Sequence, residues 1–356
     1  MLLVDAINLV KEFKQQANAV RGDIGTSCIL ESPNYPGICK LLIQCKEIRD
    51  EVVFHQKLPQ TCGFEETQPI VCCPKPRRPG YMSESKCREY ATYTKEKPLC
   101  GHSIVKRVVG GIPAGKTQFP HMALLGYRIL SRYSVQWLCG GSLISEQYIL
   151  TSGSCMYTEH REPKLALLGV TNINDPREKQ EINVASGFTH PEYKKNLPYN
   201  DIALLKLERP VEMTSYVRPA CLYINSAIQD TTAVATGWGA TEYLDRSNNR
   251  NLFEVKLDII DHQTCNDLYR NSSNLDKGVI NDIHVCTGGA TEGKGACEGD
   301  SGGPMQIYHR KDATRCIYDV VGVISVASCA ERPTVNTRVS YYIKWIEDIV
   351  WPDDSE

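Results

Sequence analysis

The chain has 356 residues, a hydrophobic content of 42%, a charged fraction of 23% and a formal net charge of -2, which suits one large core with a smaller module beside it. This balance, with no long block of like charge, excludes a nucleic-acid or other polyanion partner, and no apolar run approaches the roughly 18 residues that span a bilayer. Sixteen cysteines persist as disulfides only in an oxidising compartment, so the expected location is extracellular. A metal-binding reading finds little support, because there are no Cys-x-x-Cys units and the eight histidines are scattered.

At the N-terminus, Leu3, Ile7, Val10 and Phe13 share a face at helical spacing and predict a short amphipathic helix within residues 1 to about 20. The run Met1-Leu2-Leu3-Val4 meets Asp5 at once, which is a poor signal peptide, so a secretory leader is expected outside this chain. After an N-terminal segment of residues 1–27, six cysteines crowd between Cys28 and Cys73. A segment that short buries too little apolar surface to fold alone, and cross-links would supply the missing stability, so 28–73 is predicted to be a disulfide domain. Pro74, Pro76 and Pro79, interleaved with Lys75, Arg77 and Arg78, open a predicted exposed linker over 74–107.

From Val108 the texture becomes short apolar or alternating runs, such as Met122-Ala123-Leu124-Leu125 and Ile202-Ala203-Leu204-Leu205-Lys206-Leu207, punctuated by Gly, Pro and Asn. That pattern predicts an all-β domain over 108–351. Only Tyr341 to Val350 has a clear helical period, which places a helix at the C-terminus.

Gly299-Asp300-Ser301-Gly302-Gly303-Pro304 sets a serine between glycines, a sequence able to hold a hydroxyl on a strained turn with backbone N–H groups converging beside it. With it come Arg107-Val108-Val109-Gly110-Gly111, Cys139-Gly140-Gly141-Ser142-Leu143, Asp201-Ile202-Ala203-Leu204-Leu205 and Gly237-Trp238-Gly239. In this order the motifs make residues 108–351 resemble a chymotrypsin-fold serine protease domain of the S1 family. The cysteine-rich front resembles the clip domain of arthropod hemolymph proteases, with the nearest likeness to Snake-type members through Phe119-Pro120-His121-Met122-Ala123, Val217-Arg218-Pro219-Ala220-Cys221-Leu222 and Cys316.

The resemblance implies a clip domain followed by a double six-stranded β-barrel with a C-terminal helix. It implies disulfides Cys28–Cys72, Cys39–Cys62 and Cys45–Cys73 in the clip, then Cys139–Cys155, Cys265–Cys286, Cys297–Cys329 and Cys100–Cys221, with Cys87 paired to the remaining Cys316. It also implies Ser301 as nucleophile, Asp201 as the orienting acid, and the Gly299 and Ser301 amides as the oxyanion site. Cleavage after Arg107 would free the Val108 amine to pair with Asp300, as in a zymogen.

Two departures cut against catalysis. Where the family carries its general-base histidine, directly before Cys155, this chain reads Thr151-Ser152-Gly153-Ser154-Cys155. Serine has no basic nitrogen to accept a proton near neutral pH. Of the other histidines, His160 is read as a solvated loop residue, while His121 and His190 match positions the family fills without catalysis. In the specificity pocket, Gly295 replaces the aspartate of trypsin-like members, while Ala327 and Thr334 narrow the slot toward small apolar side chains and Ser325 is retained.

The leading expectation is therefore a secreted, catalytically inactive protease homologue. It would be activated by an upstream trypsin-like protease and would bind cascade proteases or their substrates in melanisation, Toll-type signalling or coagulation. The alternatives are an active serine endopeptidase, supported by Asp201, Ser301 and Arg107, and a pattern-recognition or antimicrobial clip protein. No cofactor is expected. Asp175, Glu178 and Glu181 stand where some relatives bind calcium, but solvated acids are the commoner meaning of such a cluster. Asn271-Ser272-Ser273 is an acceptor pattern for an N-linked glycan.

Overall fold

The computed structural model describes residues 22–31, 34–55, 58–66, 68–75, 78–96, 100, 111–129, 134–158, 162–239, 251–270, 272–288, 299–311, 315–327 and 332–352. The helix expected within 1–20, His160, Asn271, Gly295, the Arg107–Val108 bond and the Cys297–Cys329 pair lie outside these residues. The chain divides into two units, residues 1–78 with 351–356, and residues 79–350.

In the first unit, strands β1 (Ser27–Glu31), β2 (Asn34–Leu41), β3 (Thr61–Glu65) and β4 (Gln68–Pro74) form an antiparallel sheet in the order β1-β2-β4-β3. A helix, α1 (Lys46–His55), follows β2 through a single turn at Leu42–Gln44. Successive side chains on a strand point to opposite faces, so adjacent Cys72 and Cys73 on β4 reach different partners, Cys28 and Cys45. Cys39 joins Cys62, which completes the three cross-links expected of this module. Two small cores result, one of Leu42, Ile48, Val52 and Val71 around Cys45 and Cys73, the other around Cys39, Cys62 and Cys72.

The second unit contains the two barrels. In the first, β6 (Met122–Ile129), β7 (Ser134–Leu143), β8 (Tyr148–Thr151), β9 (Leu165–Leu168), β10 (Gln180–Thr189) and β11 (Ala203–Leu207) close in the order β10-β11-β8-β7-β6-β9. Leu125, Tyr127, Leu143, Ile149, Leu168 and Leu205 fill it, each buried aliphatic side chain contributing about 1.5–3 kcal/mol. The second is built from β13 (Thr232–Gly237), β14 (Phe253–Ile260), β15 (His284–Thr287), β16 (Pro304–Tyr308), β17 (Tyr318–Val326) and β18 (Thr334–Arg338), and closes through β17 against β18. Short strands β5 (Ile112–Pro113) and β12 (Cys221–Leu222) pair with β14 and β17. Phe119, Met122, Leu124, Leu167, Val234, Trp238 and Tyr318 form a further core cluster drawing on both barrels.

The segment expected to be linker holds a 16-residue helix, α2 (Tyr81–Glu96). Ser83, Cys87 and Tyr90 are buried on it, at the i, i+4, i+7 spacing of one helix face. Near the C-terminus, α4 (Ile343–Val350) follows a turn at Val339–Tyr342, while α3 (His262–Tyr269) precedes β15. Buried Glu347 of α4 accepts from Gly80 N at 2.9 Å, Ser83 N at 2.7 Å and Ser83 Oγ at 2.8 Å, capping the start of α2.

The packing of α2 corrects two of the expected disulfides. Cys87 lies on its buried face against β12 and bonds Cys221, not Cys316, and Cys100 bonds Cys316, not Cys221. The resemblance implies Cys100–Cys221, and Cys87–Cys316 follows only because those two cysteines remain, whereas a docked helix delivers its own cysteine to the strand it covers. Cys139–Cys155 and Cys265–Cys286 form as expected.

Candidate active site

Three chain segments meet where the barrels face each other. Ser154 opens a short turn, Ser154–Tyr157, just after β8. Asp201 lies two residues before the first residue of β11, and its carbonyl accepts from Thr337 Oγ1 of β18 at 2.8 Å, tying this strand end to the second barrel. Ser301 sits on a turn before β16 that is bounded by Gly299 and Gly302, with φ of +94° and +78°. Those values lie in the region that glycine adopts without steric cost. At Gly302 a side chain is also excluded by space, because a Cβ there would lie 2.2 Å from Thr151 Oγ1 and 2.6 Å from the Gly140 carbonyl oxygen.

Gly140 N donates to the Ser301 carbonyl at 2.9 Å, and Cys155 Sγ is 3.6 Å from that same oxygen. The serine turn thus rests against the residue that follows Ser154. Asp300 Oδ1 accepts from Gly239 N at 2.9 Å. Gly237 is needed beside it, since a Cβ at that position would fall 1.9 Å from the same oxygen.

Ser154 engages the Asp201 carboxylate twice, its amide donating to Oδ1 at 2.6 Å and its hydroxyl to Oδ2 at 3.2 Å. Ser325 Oγ donates to Oδ2 at 2.5 Å. Ser152 Oγ stands 2.9 Å from Ser154 Oγ, so a row of hydroxyls leads to the carboxylate. Burial raises the Asp201 pKa from 3.8 to about 6, although the Ser325 hydroxyl, the Ser154 amide and hydroxyl and the Gly153 amide all favour the ionised form.

Among the described residues no histidine hydrogen-bonds to Asp201. His121 is buried with its ring 5.3 Å from that of Tyr318, and burial pushes its pKa down to about 3. His190 sits edge-on to Tyr342 and Trp345 at 5.1 and 5.2 Å. Of the pocket residues, Thr334 is buried on β18 with its hydroxyl unpaired and Ala327 is half-buried beside the second core. The acids of the possible calcium loop carry cations of this chain: Arg177 binds both oxygens of Asp175 at 2.9 and 2.7 Å, and Lys179 lies 2.9 Å from Glu181.

The sequence reading missed the side-chain contact of Ser325 with Asp201 and the part taken by Ser152. It also missed the close packing of Gly153 under the Tyr193 ring, where a Cβ would lie 3.0 Å from the nearest ring atom. The run Thr151-Ser152-Gly153-Ser154 held the only available signal, since three small residues in succession allow the turn to lie close under an aromatic ring.

A family profile described as trypsin matches residues 108–346. Serine protease snk of Drosophila melanogaster is 35% identical over 347 residues, covering 92% of this chain and 79% of that protein. Phenoloxidase-activating factor 3 of Holotrichia diomphalia is 29% identical, covering 88% of this chain and 90% of that protein. CLIP domain-containing serine protease B4 of Anopheles gambiae is 28% identical over 361 residues, covering 92% and 93%. The chain belongs to the trypsin family of serine proteases, and its likeness to these clip-domain members spans the cysteine-rich unit as well as the barrels.

Proposed function

We propose that this chain is a secreted clip-domain protease homologue that is switched by cleavage after Arg107 but does not itself hydrolyse peptides, and that acts by binding proteins of an extracellular protease cascade. The observation that carries this reading is the Asp201 carboxylate, which is occupied by the amide and hydroxyl of Ser154 at 2.6 and 3.2 Å. An imidazole held by such a carboxylate would take the proton of Ser301. A hydroxyl takes none at neutral pH, and loss of the histidine alone costs on the order of a millionfold in turnover. Relatives named for activating phenoloxidase and for clotting support a place in melanisation or coagulation, with partners among cascade proteases or their substrates.

Retention of Asp201 and of the glycine-flanked Ser301 turn favours the other reading, an active serine endopeptidase, and one experiment separates the two. The purified chain is cleaved after Arg107, and ester hydrolysis and fluorophosphonate labelling are compared with those of Ser154→His and Ser301→Ala. The expected result is negligible turnover in the natural chain and a gain of about a thousandfold or more in Ser154→His. Turnover by the natural chain that disappears in Ser301→Ala would overturn the proposal.

A further inference from the structure

Away from the active site, Cys87 on α2, Cys221 on β12, His309 just after β16 and Asp319 on β17 converge. Pairing of β12 with β17 sets Cys221 beside Asp319. The hairpin of β16 and β17 returns His309 to the same end, where its amide donates to the Ile317 carbonyl at 2.9 Å. Docking of α2 then brings Cys87 to bond Cys221. The two sulfurs, a ring nitrogen and a carboxylate oxygen all lie within 4.8 Å of one another. His309 Nδ1 is 2.8 Å from Asp319 Oδ1, and Cys87 Sγ is 3.7 and 3.8 Å from Nδ1 and Nε2 of the same ring.

Such a set of groups would suit a soft metal ion only with the cysteines as thiolates. Joined as a disulfide the sulfurs offer no thiolate, and the chemistry left to the cluster is exchange. A disulfide opens when a thiolate attacks one sulfur and the other departs with the bonding pair, so the sulfur better stabilised as an anion leaves. The Nδ1–H of His309 donates to Asp319, which orients the ring and balances its charge when Nε2 also carries a proton. The ring lies against Cys87, which marks Cys87 as the leaving sulfur and Cys221 as the one attacked. The His309 and Asp319 side chains are 20% and 14% exposed, while Cys87 and Cys221 are 7% and 2% exposed. The pair therefore reaches the surface, and the sulfurs are reached when α2 lifts by local opening.

We infer that Cys87–Cys221 is an exchangeable disulfide, opened by a small-molecule thiol while the His309–Asp319 pair stabilises the departing Cys87 thiolate. The attacking thiolate bonds Cys221 Sγ, the Cys87–Cys221 bond breaks, and its electron pair goes to Cys87, which takes a proton from His309 Nε2. A second thiolate attacks the mixed disulfide and releases Cys221. Two small thiols are thereby oxidised to one disulfide, and the protein gains two electrons and two protons as a pair of thiols. Opening frees α2 from β12 and leaves it held by the Glu347 cap and by Arg315 Nη2, which donates to the Ala91 carbonyl at 3.1 Å. Cys100–Cys316 still joins the two sides of Arg107. The test incubates the full chain with reduced glutathione at neutral pH, quenches at intervals with iodoacetamide, and reads the alkylated fraction of each cysteine by mass spectrometry. The expected result is opening of Cys87–Cys221 at least about tenfold faster than Cys100–Cys316, a fall of about tenfold in that rate in His309→Gln, and a smaller fall in Asp319→Asn. A variant that merely loosened the fold would open the bond faster, so lost packing does not imitate the expected slowing. Unaltered or faster opening in His309→Gln, or opening no faster than that of Cys100–Cys316, would overturn the inference.

Discussion

Asp201 is held in a nearly dry site by two serine hydroxyls and an amide, yet burial still outweighs these donors and brings its pKa to about 6. Its unfolded value is near the ordinary 3.8, so between these limits the folded chain binds more protons than the unfolded one. The stability that protonated Asp201 contributes, about 3 kcal/mol, is complete below about pH 4 and is lost as pH rises through about 6. Urea unfolding of Asp201→Asn from pH 4 to 7 should show this slope flattened; an unaltered slope would refute the assignment. Ser325→Ala removes a donor to the ionised form and should move the loss to higher pH in the same measurement. Ser154 itself was legible, because its position is counted from the adjacent cysteine and from the serine and aspartate motifs. The Ser325–Asp201 bond was not legible, because 124 residues separate its ends and only the packing of one barrel against the other brings them together.

At the scale of elements, the least anticipated feature is α2. Among its described side chains the buried ones are Ser83, Cys87 and Tyr90, too few apolar positions to give a helical period in the sequence, and its start is capped from the far end of the unit by Glu347. Glu347→Ala would leave two amides and a hydroxyl without an acceptor and is expected to cost about 2–4 kcal/mol. Glu347→Gln retains one acceptor oxygen and should cost less. Chemical denaturation measures both, and hydrogen exchange across residues 81–90 should speed up in the alanine variant; unchanged protection there would mean that the disulfide alone holds the helix. The barrel strands were legible as a class from their short alternating runs and turn residues. Their closure order was not, since pairing partners lie far apart along the chain.

For the molecule as a whole, the disulfides determine what activation can release. Cys87–Cys221 and Cys100–Cys316 both join chain before Arg107 to chain after it, so cleavage there should leave one species on a non-reducing gel and two after reduction. Cys87→Ser or Cys100→Ser alone should still migrate as one species, because either link suffices. Only the double variant should separate, and separation of a single variant would show that its remaining link does not form. By itself the sequence determined the family, the crowding of six cysteines into a front module and the replacement of the general base by Ser154, because each is written in local motifs or cysteine positions; the clip cross-links followed only from the resemblance to the family. The tertiary structure alone decided the partners of Cys87 and Cys100, the cap on α2 and the hydroxyl row on Asp201. Each of these depends on docking and barrel closure, which place side chains from distant segments in contact and set how far water is excluded from them.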